Sequence, residues 1–292
     1  MSGRIGNGVC VATAYFEAQR RAAEATSKEE WTSTGVKATG IGKGLTMQEL
    51  AGKNALVTGG ARGIGAAIAI ALSEKGANVA ITYERSADSA ERLVRTIEEN
   101  GRKAVAIKAD SADPVAIQRS VDETVRALGG LDILVNNAAI ARYNNIADFT
   151  VEDIDALLAV NVRGPVLAAK AAIPHLKEGG RIITIGSAGA DRIAGVPGTV
   201  YYMTKGALQA FNRGLARELG ARDITVNLVQ PGSTNTDSNP ETGEFADYQR
   251  GLSALGRFNQ PEDVAAAVAF LATPTARQIT GTILTVDGGA LA

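Results

Sequence analysis

Ala55-Leu-Val-Thr-Gly-Gly-Ala-Arg-Gly-Ile-Gly65 is the stretch that decides the fold. It places an apolar strand directly before a glycine-rich turn, and a helical pattern then runs over Ile64–Lys75. Glycine permits a tight turn and lets backbone N–H groups approach a pyrophosphate, while the helix directs its positive N-terminal end at that anion. The stretch therefore predicts the first βα unit of a dinucleotide-binding sheet. Its phosphate-binding turn is Gly59, Gly63, Ile64 and Gly65.

Short β-branched runs alternate with helical patterns such as Ser86–Asn100 and Pro114–Leu128 along the rest of the chain. Strands joined by helical crossovers form a parallel sheet with both faces covered, and right-handed crossovers make that sheet doubly wound. We therefore predict one α/β domain of Rossmann type over residues 48–292, with a seven-stranded parallel sheet and helices on both faces. The predicted strands are Ala55–Thr58, Asn78–Tyr83, Ala104–Lys108, Ile133–Asn136, Arg181–Ile185, Thr225–Val229 and Ile283–Val286.

The composition argues against several classes of function. The chain has 292 residues, a formal net charge of −1 and no dense Lys/Arg block, so no nucleic-acid partner is expected. One cysteine and one histidine leave a structural metal site almost no soft ligands. No apolar run approaches the roughly 20 residues that cross a bilayer. We expect a cytoplasmic protein that binds no metal and no membrane.

Residues 1–47 differ from the rest of the chain. They are rich in Gly, Ala, Ser and Thr, and they show no sustained helical or strand period. The apolar stretch within them is interrupted by Gly6, Asn7 and Gly8, which is unlike a targeting peptide. We expect a poorly ordered N-terminal extension without a catalytic role.

The end of the second predicted strand bears on the choice of cofactor. Tyr83 lies about 20 residues beyond the glycines, where an NAD-selective site usually carries an acidic residue. Arg62 in the glycine turn, together with Arg85 and Ser86 after the strand, can bind a 2′-phosphate through charge-assisted hydrogen bonds. NADP is therefore the predicted cofactor. NAD is the alternative, because a one-residue change of register would put Glu84 at the selective position.

Ser187, Tyr201 and Lys205 are the candidate catalytic residues. Ser187 follows a predicted strand, at the sheet edge where open α/β sheets bind ligands, and Tyr201 and Lys205 share one face of a predicted helix over Thr199–Gly220. A free phenol has a pKa of about 10, and a neighbouring ammonium lowers it. The Ser187 hydroxyl can hold a substrate oxygen while hydride moves from the cofactor. The three residues predict reduction of a carbonyl substrate, or the reverse oxidation.

Pro165 identifies a fourth candidate, Asn161. If Val151–Ala172 is helical, the N–H of residue 165 would bond to the carbonyl of Asn161, but proline has no N–H and its ring crowds that carbonyl. The helix should therefore kink, and the carbonyl of Asn161 should be free to hold a water molecule that links Lys205 to solvent.

From about residue 50 to its end, the chain resembles the short-chain dehydrogenase/reductase family, and 3-oxoacyl-[acyl-carrier-protein] reductases among its members. The resemblance implies that Tyr201 is the acid/base, that Ser187 orients the carbonyl, and that Lys205 binds the nicotinamide ribose and tunes Tyr201. It also implies that Asn161 sustains a water-linked proton relay. Tyr202 is expected to pack instead. The motifs that carry the resemblance are Thr58-Gly-Gly-Ala-Arg-Gly-Ile-Gly65, Asn136-Asn-Ala138, Asn161, Ser187, Tyr201-Tyr-Met-Thr-Lys205 and Pro231-Gly232.

The same resemblance implies further cofactor contacts and an assembly. Family members are usually tetramers, so a homotetramer that buries faces of the Val151–Ala172 and Thr199–Gly220 helices is expected. Ala139 departs from the family pattern, in which glycine commonly follows Asn-Asn-Ala. The backbone geometry expected from the family is therefore less certain to hold at this position, although no catalytic group is lost. The additional residues implied to contact the cofactor, beyond Tyr201 and Lys205, are Asp110, Ser111, Asn137, Pro231, Gly232, Thr234 and Thr236.

The polar segment 235–257 is long and is broken by Pro240 and Gly243, as lids at ligand edges often are. In this family the corresponding segment covers the substrate, so Phe245, Tyr248 and Leu252 are candidates to line the pocket. The substrate class that follows is a small ketone, an aldehyde or a 3-oxoacyl thioester.

A nucleotide-binding regulatory protein is the alternative function. Asp110-Ser-Ala-Asp113 and Gln230–Pro240 resemble a bacterial branch of the family linked to cyclic-di-GMP binding and biofilm dispersal. The Ser187, Tyr201 and Lys205 set favours catalysis, since a pure binding protein does not need it.

Overall fold

Seven strands form one parallel sheet in a computed structural model that describes residues 48–193, 197–243 and 245–292. The order across the sheet is β3-β2-β1-β4-β5-β6-β7, and every neighbouring pair is parallel. This confirms the predicted doubly wound fold. The order reverses between β1 and β4, where such sheets open a crevice for ligands. The strands are β1 (Asn54–Val57), β2 (Asn78–Tyr83), β3 (Ala104–Lys108), β4 (Ile133–Asn136), β5 (Arg181–Ile185), β6 (Thr225–Pro231) and β7 (Ile283–Val286).

Helices cover both faces of the sheet because side chains alternate along each strand. On β1, Val57 joins the apolar cluster on one face, which includes residues of α1, α2 and α8, whereas Leu56 joins the cluster on the other face, with α3, α5 and α6. The helices are α1 (Gly63–Glu74), α2 (Ala87–Glu99), α3 (Pro114–Leu128), α4 (Val151–Leu158), α5 (Gly164–Ala172), α6 (Thr199–Leu219), α7 (Ala246–Leu252) and α8 (Pro261–Ala272).

Two strands differ from their predicted bounds. β1 begins and ends one residue earlier than predicted, because Thr58 already belongs to the turn and its Oγ1 accepts hydrogen bonds from the backbone N–H groups of Asn137 and Ala138 at 3.0 and 3.1 Å. β6 runs two residues further, to Pro231, which pairs with Val286 of β7. Proline is tolerated there because it stands at the end of the strand.

The predicted helix Val151–Ala172 is not one continuous α-helix. A π-helical turn, Ala159–Arg163, separates α4 from α5, and the N–H of Gly164 donates to the carbonyl of Ala159. Pro165 offers no N–H to Asn161, so the chain accommodates the proline by widening the preceding turn. The prediction of a break at Asn161 is confirmed, but its form is a π-turn.

The expected poorly ordered extension, residues 1–47, lies outside the described residues. Within the described part of the chain, no helix combines the length and the apolar character needed to span a membrane. The same residues include no group of three or more His, Cys, Asp or Glu side chains placed to hold a metal ion.

Candidate active site

The structure brings Ser187, Tyr201 and Lys205 together at the carboxyl edge of the sheet. Ser187 follows β5, and its side chain is close enough to the Tyr201 hydroxyl to oppose the rise in the pKa of that phenol. Tyr201 and Lys205 lie one turn apart on α6, with the Lys205 Nζ 5.9 Å from the centroid of the Tyr201 ring. That Nζ is buried and donates to the carbonyl of Ile185 at 3.0 Å. The site therefore combines two hydroxyl groups with a buried amine.

The pKa of Tyr201 is raised above its ordinary value. Burial is the main cause, the neighbouring phenols of Tyr143 and Tyr202 add to it, and the hydrogen bond from Ser187 opposes it. Desolvation of the phenol therefore outweighs the influences that lower its pKa in the protein by itself, and the lowering by Lys205 together with an oxidised nicotinamide stays a prediction. Tyr201 is protonated at neutral pH, which is the state that a proton donor requires.

Burial also lowers the pKa of Lys205 to about 8. A lowered lysine pKa means that the unfolded state binds more protons between pH 8 and the unfolded value of about 10.4, so stability rises with pH across that window. We expect the free energy of unfolding of the wild type, relative to Lys205→Met, to increase by roughly 2 kcal/mol from pH 7 to pH 9.5. Urea titrations of both proteins at each pH measure the difference. A flat difference would contradict a buried amine at this position.

Asn161 is buried in the π-turn, and its side chain is fully engaged. Its Oδ1 accepts from the N–H of Ile140 at 2.9 Å, and its Nδ2 donates to the carbonyl of Ile140 at 2.9 Å and to Thr204 Oγ1 at 3.1 Å. The amide therefore ties the loop after β4 to the π-turn and to α6. The backbone carbonyl, rather than this amide, is the group that Pro165 leaves without its ordinary helical donor.

The glycine turn fits a pyrophosphate. Gly59 and Gly63 have φ of +63° and +52°, a region that side chains disfavour, and a Cβ on Gly65 would overlap the carbonyl oxygen of Gly59. No side chain caps the start of α1, and its first turn carries no acidic residue. Ile64 lies in this first turn, so its backbone N–H is among the donors available to an anion.

Three of the four residues predicted to meet the 2′-phosphate lie around the end of β2, and the fourth, Arg62, does not. Tyr83 ends that strand, Arg85 is exposed and forms an ion pair with Glu84 at 3.6 Å, and Ser86 precedes α2 without capping it. Arg62 reaches the opposite side of the cleft, where its Nη1 lies 3.7 Å from Oδ2 of Asp237. Both partners of this second pair are exposed.

Three further predicted cofactor contacts occupy the edge formed by β1, β3 and β4. Asp110 and Ser111 line a small cavity together with Thr58. Asn137 donates from its side chain to the carbonyls of Thr58 and Gly59, at 2.9 and 3.0 Å. Its side-chain amide therefore helps to hold the glycine turn in its observed conformation.

The predicted contacts after β6 lie on the other side of the crevice. A Cβ on Gly232 would lie 2.8 Å from the Cα of Asp287, and Thr234 is buried with its Oγ1 donating to the carbonyl of Gly232 at 3.0 Å. Thr236 faces the glycine turn, since its Cγ2 would lie 3.3 Å from a Cβ on Gly63. Pro231 ends β6, so this segment begins at the sheet edge and crosses toward α1.

Tyr143 is a site residue that the sequence patterns did not identify. It follows β4 in a loop, and its ring centroid lies 5.5 Å from that of Tyr201 and 6.5 Å from that of Tyr202. The rings of Tyr201 and Tyr202 are edge to face at 5.2 Å, so the expectation that Tyr202 packs describes its position correctly. No local signal marks Tyr143, because its neighbours in the chain follow no helical or strand period.

Comparisons with known proteins identify the family of the chain. A family model described as enoyl-(acyl carrier protein) reductase matches residues 59–290. Versicolorin reductase 1 of Aspergillus parasiticus is 45% identical over 257 residues, with 82% of this chain and 97% of the relative covered. The cyclic-di-GMP-binding biofilm dispersal mediator protein of Escherichia coli is 44% identical over 242 residues, with 83% and 98% covered.

A solved structure is similar to this chain in both fold and sequence. The short-chain dehydrogenase from Burkholderia cenocepacia, determined in complex with NADP, is 55% identical, with a TM-score of 0.83 and coverage of 84% of this chain and all of that one (100%). The chain belongs to the short-chain dehydrogenase/reductase family of NAD(P)-dependent oxidoreductases.

Proposed function

We propose that this protein is an NADP(H)-dependent carbonyl reductase that also catalyses the reverse alcohol oxidation. The observation that carries the proposal is the grouping of Ser187, Tyr201 and the buried Lys205, in which Ser187 acts on the Tyr201 phenol and the Lys205 Nζ lies 5.9 Å from its ring. A regulatory protein that binds cyclic-di-GMP without turnover is not favoured, because simple nucleotide binding has no use for a paired acid and hydroxyl.

The proposed mechanism assigns one task to each residue. When bound, NADPH supplies the hydride that adds to the carbonyl carbon. The hydroxyls of Ser187 and Tyr201 hold the carbonyl oxygen, and Tyr201 gives its proton to that oxygen as negative charge develops. The ammonium of Lys205 stabilises the resulting phenolate, and a water molecule on the Asn161 carbonyl returns a proton from solvent. Alcohol oxidation follows these steps in reverse.

The preference for NADP over NAD is proposed to depend on Arg62. A guanidinium forms charge-assisted hydrogen bonds with a phosphate, and NAD has no phosphate at the 2′ position. We expect Arg62→Gln to raise KM for NADPH about tenfold and to leave KM for NADH within about twofold. Initial rates with both cofactors at saturating ketone measure the effect. An equal increase for both cofactors would contradict the proposed role.

The segment 235–257 is proposed to be the lid over the substrate. Its polar stretch contains the short helix α7, on which Tyr248 and Leu252 lie, with Phe245 immediately before it. Thr236 and Asp237 stand opposite the glycine turn, so the segment extends across the crevice from β6 toward α1. We propose that residues 48–292 form the NAD(P)-binding catalytic domain, with a carbonyl substrate between this lid and Ser187.

A cytoplasmic homotetramer is the proposed assembly. Leu158 and Val166 flank the π-turn and are 37% and 38% exposed, and Met203 on α6 is 51% exposed. Apolar side chains on α4, α5 and α6 suit an interface with equivalent helices of other subunits. Size-exclusion chromatography with light scattering tests this proposal, and a protein that is only monomeric would reject it.

A panel of carbonyl compounds tests the proposed activity directly. Ketones, aldehydes and a 3-oxoacyl thioester are offered with NADPH and with NADH, and oxidation of the cofactor is followed by absorbance. We expect turnover of at least one carbonyl compound, and faster turnover with NADPH. Tight binding of cyclic-di-GMP without turnover of any carbonyl compound would support the regulatory alternative instead.

A further inference from the structure

Three of the six tyrosines of the chain lie together at the proposed active site, although the chain has few aromatic residues. Aromatic residues make up 4% of the sequence and only six are tyrosines, yet Tyr143, Tyr201 and Tyr202 contact one another here. Their centroid separations of 5.2 to 6.5 Å and tilted planes are typical of attractive aromatic pairs. Burial raises the pKa of Tyr202, and the phenol of a fourth tyrosine, Tyr248 of α7, adds to the rise. We call the first three residues the tyrosine wall.

Two glycines make room for the tyrosine wall. A Cβ on Gly189 would overlap the ring of Tyr202, and a Cβ on Gly198 would lie 2.9 Å from Cε2 of Tyr202 and 3.0 Å from Cδ1 of Tyr143. Neither glycine has the positive φ that would explain it by backbone conformation. The two positions therefore lack side chains because the rings occupy that space, and the wall is a packed feature of the site.

Tyr143 leaves part of its ring open beside the proton donor. Its side chain is 55% exposed, although the ring packs against Tyr201. A single exposed aromatic residue is ordinary at a protein surface, but this one adjoins the group that must meet the substrate carbonyl. Whatever is attached to that carbonyl therefore has an aromatic surface within reach.

Two arginines close in the chain to tyrosines of this region are paired with carboxylates. Arg142, next to Tyr143 in the chain, forms an ion pair with Asp153. Arg250, on the same helix as Tyr248, forms an ion pair with Asp247 at 2.8 Å. Because both arginines are already paired with carboxylates, they offer little net positive charge to an acidic partner.

We propose that the substrate is a ketone conjugated to a planar aromatic ring, and that this ring lies against Tyr143 while the carbonyl meets Tyr201 and Ser187. The inference rests on the proposed carbonyl reductase function and adds the substrate class. A flat ring can stack on, or meet edge-on, the exposed face of a phenol over its whole area, whereas a puckered or branched group contacts it at fewer atoms. Tyr143 is thus a specificity-determining residue.

Acetophenone and cyclohexyl methyl ketone test the proposal, because they share a carbon skeleton and differ in the flatness of the ring. Each is reduced with NADPH by the wild type, Tyr143→Ala and Tyr143→Phe. We expect Tyr143→Ala to lower kcat/KM for acetophenone about tenfold, mainly through KM, and to change that of cyclohexyl methyl ketone less than about twofold. Tyr143→Phe keeps the ring and should retain the wild-type preference. Conjugation alters intrinsic reactivity, so the change in the ratio between ketones is the relevant quantity.

The possible results distinguish a failure of the proposed substrate class from a failure of the proposed reductase function. Equal losses for both ketones in Tyr143→Ala, or the same loss in Tyr143→Phe, would overturn the aromatic substrate class while leaving the reductase intact. Turnover of neither ketone nor any other carbonyl by the wild type would overturn both. Tyr143→Leu serves as a second ring-free variant if thermal melting shows that Tyr143→Ala is poorly folded.

Discussion

Tyr201→Phe is expected to lower kcat for ketone reduction by about 10³-fold, which is within the range for loss of a positioned general acid. The phenylalanine ring preserves the packing against Tyr143 and Tyr202, so the variant should fold and melt close to the wild type. Only the hydroxyl that contacts Ser187 is removed. Steady-state rates with NADPH measure kcat, and fluorescence titration of NADPH should show a far smaller change in Kd.

Tyr202→Phe is the comparison that distinguishes the two neighbouring tyrosines. The ring of Tyr202 packs beside Gly189 and Gly198, and the contact with Ser187 belongs to Tyr201. The loss of kcat should therefore be much larger at position 201 than at position 202. The opposite order, or equal turnover by Tyr201→Phe and the wild type, would refute the assigned proton donor.

Gly65→Ala should weaken NADPH binding by about 100-fold, which corresponds to the roughly 3 kcal/mol that overpacking can cost. The added methyl group would meet the carbonyl oxygen of Gly59 and the Nδ2 of Asn137, both of which shape the turn. The turn must then shift, and the N–H groups at the start of α1 no longer converge on one pyrophosphate. Titration of NADPH fluorescence measures the Kd.

Gly214→Ala is the matched control for this substitution. Gly214 is also helical, but nothing lies within 4 Å of a Cβ built there, so the same change of residue should leave NADPH binding intact. A Gly65→Ala protein that remains folded and binds NADPH as tightly as the wild type would show that the glycine is not required for the cofactor. Circular dichroism of both variants establishes that each is folded.

Local patterns were sufficient for most of the fold. The strands are mostly apolar, because a sheet covered on both faces buries both sides of its central strands, and five of the seven have their predicted bounds. The break at Asn161 could also be predicted from the sequence, because Pro165 has no N–H to donate to the carbonyl four residues before it in a helix. The form of the break, a π-turn, depends on how the surrounding helices pack, so the pattern alone did not predict it.

Some features of the candidate site also follow from local sequence, and others depend on the tertiary structure. The glycine turn, together with the one-turn spacing of Tyr201 and Lys205, follows from constraints within a few residues, so the sequence alone predicts them. The position of Tyr143, the ion pair between Arg62 and Asp237, and the raised pKa of Tyr201 arise between segments that are far apart in the chain. Burial and through-space contacts produce all three, and only the folded chain brings those atoms together.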